Sequence, residues 1–137
     1  MKVPHKAHVA LVDGERFILM RNTGAMFEPK LEFIAEPELE TANFRAGVRH
    51  RDQAMQRTID NSTAMAEFAH GAAVAEWLNA KALAGEIEQL VVVADPRTLG
   101  EMRQHYHKEL QARIVGELAK DLTWNSPQEI GETIAAA

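Results

Sequence analysis

Leu90-Val91-Val92-Val93-Ala94 is the longest uninterrupted apolar run in the chain, and it constrains the fold more than any other feature. Its three consecutive valines favour extended backbone, because branching at Cβ suits a pleated surface. A strand that is apolar at every position has no solvent face. It must be covered on both sides, as a central strand of a parallel sheet is. Asp95-Pro96 follows at once. An Asp side chain accepts from the free amides of a helix's first turn, and Pro fits the first helical position, where an N–H has no intrahelical partner. The pattern predicts strand, then helix, with Leu99 and Met102 facing inward. The run is also far shorter than the ~20 apolar residues of a membrane helix.

The remaining elements follow from period and punctuation. Residues 7–13 (AHVALVD) and 16–21 read as two strands joined at Asp13-Gly14, a hairpin signal that asks for positive φ at both turn positions. Asn22-Thr23-Gly24 marks a second turn. Residues 31–36 alternate, with Leu31, Phe33 and Ala35 on one face, which predicts a half-buried strand at or near a sheet edge. Residues 63–83 carry Met65, Phe68, Ala72, Ala75, Leu78 and Ala82 at spacings of three and four, one apolar stripe of a long helix. Ser62 or Asn61 is its expected N-cap and Gly85 its stop. The alanines of this helix predict close packing on a sheet, with Trp77 as a packing residue. A helical turn over 105–111, a strand over 113–118 and a last helix opened by Ser126-Pro127-Gln128-Glu129 complete the chain. Ile130 and Ile134 give the last helix its inward stripe.

The expected order is β-β-β-α-β-α-β-α. It predicts an α/β fold with a mixed five-stranded sheet and helices on both faces, the element order of ribonuclease H-like architectures. All 137 residues suit one domain. Residues 37–61 have no sustained period and are expected to form a mobile loop that carries the binding function. Alternatively, residues 53–61 extend the long helix at its N-terminus.

Charge sharpens that expectation. The chain has 15 Lys plus Arg against 20 Asp plus Glu, a net of −5, so no bulk attraction to nucleic acid or anionic membrane is expected. The balance is uneven. Residues 28–40 hold five glutamates and one lysine. Residues 45–57 hold Arg45, Arg49, Arg51 and Arg57 with His50 against Asp52 alone. These are either two solvated segments that offset each other or a basic loop that meets phosphates, a task to which the planar guanidinium fork is suited.

Catalytic and metal motifs are sparse. The absence of cysteine excludes disulfides, thiolate metal sites and cysteine nucleophiles, and fits a reducing compartment. There is no HExxH, G-x-S-x-G, G-x-G-x-x-G or P-loop. No cofactor or metal is expected. Glu67 and His70 share a helix face, but that pair alone is a weak metal signal. Asp13, Glu67 and Asp95 sit at two strand ends and on the long helix, from which a two-metal nuclease draws its carboxylates. The simpler reading makes Asp13 a turn residue, Asp95 a cap and Glu67 a surface charge. Arg97 lies in a helix's first turn, against the macrodipole, so it either binds an anion or pairs with a carboxylate such as Asp121.

The stretches LVVVADPRTLGEMR and LQARIVGELAKDLTWNSPQEI, with the opening VALVDGERFILM, resemble the bacterial host-attachment protein family, which is similar to the middle domain of archaeal and eukaryotic peptide-release factors. The likeness spans nearly the whole chain and is weakest over 38–61. Its most specific blocks contain Asp95, Pro96 and Arg97, then Lys120 and Asp121. It implies the same β-β-β-α-β-α-β-α fold. In release factors a Gly-Gly-Gln loop follows the third strand; no Gly-Gly-Gln occurs here, and the nearest stretch is AGVRHRDQ. Two functions are therefore expected. The first is a non-catalytic cytoplasmic binding or regulatory domain of the host-attachment family, with a protein partner and no export signal. The second is a translation-associated factor that contacts ribosomal RNA through Arg45, Arg49, His50, Arg51 and Arg57.

Overall fold

The computed structural model describes residues 1–39 and 62–137, and of residues 62–68 only the backbone. Of the loop expected over 37–61, residues 40–61, with the basic segment 45–57 among them, lie outside the described residues. So do the N-cap candidate Asn61 and the proposed helical extension over 53–61.

Strand β1 (His8–Val12) pairs antiparallel with β2 (Phe17–Asn22), and β2 pairs antiparallel with β3 (Leu31–Ala35). On its other side β1 pairs parallel with β4 (Leu90–Ala94), and β4 pairs parallel with β5 (Ile114–Ala119). The sheet order is β3-β2-β1-β4-β5. Helices α1 (Ser62–Leu83), α2 (Pro96–Arg103), α3 (Lys108–Arg113) and α4 (Pro127–Ala136) complete the described elements. The mixed five-stranded α/β sheet is the one the sequence predicts.

Both faces of the sheet are covered. Val12, Phe17, Leu19 and Val92 pack on one side with Val74, Leu78, Leu99, Met102 and Leu110 of α1, α2 and α3. Val9, Leu11, Ile18, Val91 and Val93 pack on the other with Leu122 and with Ile130 and Ile134 of α4. The β4 run is therefore buried at every residue. On α1, Ala72, Ala75, Leu78 and Ala82 form the buried stripe, and the closest backbone approach of the helix is to α2 and α3 rather than to the strands, against the close sheet packing that its alanines predict. Trp77 packs as expected, edge-on to Phe17 with ring centroids 5.2 Å apart at 77°. Beyond α1 the chain reverses at Gly85, which has φ +77° and donates to the Ala82 carbonyl at 3.1 Å. That left-handed conformation is the one a residue without Cβ adopts without strain.

Two local expectations fail. The β1–β2 turn does not place Asp13 or Gly14 at positive φ. Instead the Asp13 side chain closes it, with Oδ1 accepting from the amides of Glu15 at 2.7 Å and Arg16 at 2.6 Å. A carboxylate that makes its own turn has no need of the mirror-image turn conformation. Strand β3 is at the sheet edge, but its expected buried face is not: Leu31 is buried while Phe33 is 56% exposed. Helix α4 packs against the Leu31 end of the strand, where Gly131 lies so close to Pro29 that an added Cβ would come within 3.0 Å of the Pro29 carbonyl oxygen.

Candidate functional site

Three neighbouring strands, β1, β4 and β5, run parallel and end on the same side of the sheet. Crevices outside the carboxyl ends of parallel strands are the usual binding positions of open α/β sheets. Here that edge forms a cavity of about 370 Å³ lined by Asp13, Gly14, Glu15, Asp95, Arg97, Asp121 and Trp124.

Each lining aspartate has a local structural task. Asp13 ends β1. Its Oδ1 holds the turn, and its Oδ2 accepts from the Thr123 hydroxyl at 2.6 Å. Burial pushes the Asp13 pKa up, but the Thr123 hydroxyl, the Glu15 and Arg16 amides and the His70 ring together outweigh it and hold it below the ordinary value. Its backbone carbonyl meets His70 Nδ1 at 2.9 Å. Burial holds the His70 pKa below the ordinary value, against the opposing pull of the Asp13 carbonyl and of the Asp13 and Glu15 charges. Asp95 ends β4 and caps α2, with Oδ2 accepting from the Thr98 amide at 3.1 Å. Its Oδ1 is buried with no hydrogen-bond partner among the described residues. Asp121 follows β5, and its Oδ1 accepts from the Thr123 amide at 3.2 Å and lies 2.8 Å from the Thr123 hydroxyl. One hydroxyl carries one proton, so Thr123 serves Asp13 or Asp121 at any instant.

The rim is aromatic and cationic. Arg16 pairs with Glu36 through two contacts of 2.9 and 3.3 Å, donates to the Thr123 carbonyl at 3.2 Å and lies 4.3 Å from the Trp124 ring centroid. Trp124 is 75% exposed. The Glu36 hydrogen bond raises the Arg16 pKa, and Arg16 lowers that of Glu36.

Of the residues singled out from sequence, Asp95, Arg97 and Asp121 line this cavity together, and Pro96 opens α2 beside it. Lys120 lines a separate cavity of about 340 Å³ with Glu132 and Thr133. Asp13 and Asp95 reach the same cavity, but the Glu67 side chain lies outside the described residues. Arg45, Arg49, His50, Arg51 and Arg57 also lie outside them. Among the described residues no group of three or more carboxylates and histidines is placed to hold a metal ion. The Thr123 hydroxyl is buried between the carboxylates of Asp13 and Asp121, each of which also holds a backbone amide of its own turn.

Sequence reasoning missed Thr123, Arg16, His70 and Trp124 as members of this edge. Only Thr123 left a local signal, an Asp-x-Thr spacing that suits an Asx turn. The others meet through long-range packing.

Among the described residues no helix is long and apolar enough to cross a membrane. Residues 6–134 match the family model described as bacterial archaeo-eukaryotic release factor family 12. No curated protein matches the chain. The match carries the release-factor side of the resemblance and not the host-attachment label.

Proposed function

The chain belongs to bacterial archaeo-eukaryotic release factor family 12, and from that membership we propose that it is a translation-associated cytoplasmic protein, a single domain that contacts ribosomal RNA through the segment 45–57. The observation that carries this reading is the family match itself, which runs through that segment. Arg45, Arg49, Arg51 and Arg57, with His50 among them, supply a local net charge of +3 after Asp52 is subtracted. Guanidinium groups bind phosphate oxygens bidentately. The crevice at the strand ends is a poor alternative for RNA, because Asp13, Glu15, Asp95 and Asp121 repel phosphate there. The Asp95-Pro96-Arg97 and Lys120-Asp121 blocks then serve the scaffold that presents the segment. Without a Gly-Gly-Gln sequence the proposal is one of binding, and peptidyl-tRNA hydrolysis is not part of it.

Co-sedimentation with ribosomes across a salt series tests the proposal. Phosphate contacts make the logarithm of the binding constant fall linearly with the logarithm of salt, by roughly 0.7–0.9 per contact. Replacing Arg45, Arg49 and Arg51 by Ala should weaken binding and reduce the slope by about 2–3. An intact protein that stays in the supernatant at low salt overturns the reading.

A further inference from the structure

We draw no further inference here: the strongest candidate, the acidic cavity at the carboxyl ends of β1, β4 and β5, belongs to the site already described, where Asp13, Asp95 and Asp121 each hold a backbone amide and nothing among the described residues beyond the acidic cluster itself points to a ligand.

Discussion

Thr123 Oγ1 lies 2.6 Å from Asp13 Oδ2 and ties the end of β1 to a turn 110 positions later in the chain. The contact closes the carboxyl edge of the sheet, because Asp13 also fixes the β1–β2 turn and Thr123 also accepts Arg16 through its carbonyl. Thr123→Val keeps the shape and removes the donor. A buried carboxylate oxygen is then left unsatisfied, which costs about 1–3 kcal/mol. Urea unfolding should show that loss with an unchanged slope. NMR titration of Asp13 should show its pKa rising toward the ordinary carboxylate value. An unchanged Asp13 titration refutes the assignment.

Gly85 tests backbone conformation apart from packing. An added Cβ there meets no atom within 4 Å, so any cost of substitution is conformational. With φ at +77°, Gly85→Ala should destabilise the protein by about 1–2 kcal/mol. Gly85→Asn should cost less, because Asn tolerates the left-handed region. Equal losses in the two thermal melts would point to some other origin.

Asp95 separates capping from burial. Its Oδ2 caps α2, while its Oδ1 is buried without a hydrogen-bond partner among the described residues. Asp95→Ala should lose about 0.5–2 kcal/mol with the cap. Asp95→Ser keeps a capping oxygen and removes the unsatisfied one, so it should lie closer to the parent than to the alanine variant. A serine variant as weak as the alanine variant shows that the second oxygen is useful where it stands.

What the sequence reveals of this molecule is its local chemistry. The Leu90–Ala94 run, the Asp95-Pro96 cap, the Ser126–Glu129 spacing and the Gly85 stop each act within a few residues, and each is found where the pattern places it. The Asp13 turn was misread because Asp-Gly suits two different turns, and only the carboxylate's hydrogen bonds distinguish them. Phe33 was misread because alternation identifies two faces but not how far α4 extends over one of them. The strand-end cavity escaped altogether as a unit. Asp13, Asp95 and Asp121 meet only through parallel pairing across long connections, and no window of the sequence contains more than one of them.

Acid should weaken the protein in two stages. Burial holds His70 below the ordinary value of 6.5, and burial with the nearby Arg21 charge does the same to His8. Near and below that value the unfolded chain binds more protons than the folded one, so stability is fully present above it and declines as pH falls. Asp13 also titrates below its ordinary value of 3.8, because the hydrogen bonds to its ionised form outweigh burial. The folded protein again binds fewer protons than the unfolded chain, and this contribution is lost as pH falls through 3.8 toward the folded value. Chemical denaturation from about pH 8 to about pH 3 should therefore give a plateau, a decline beginning near 6.5, and a second decline below 4. His70→Gln cannot take up the proton, so it should flatten the first decline and leave the second in place. Thr123→Val should do the reverse. If both variants follow the parent's profile through both stages, neither His70 nor the Asp13–Thr123 contact is responsible for the acid sensitivity.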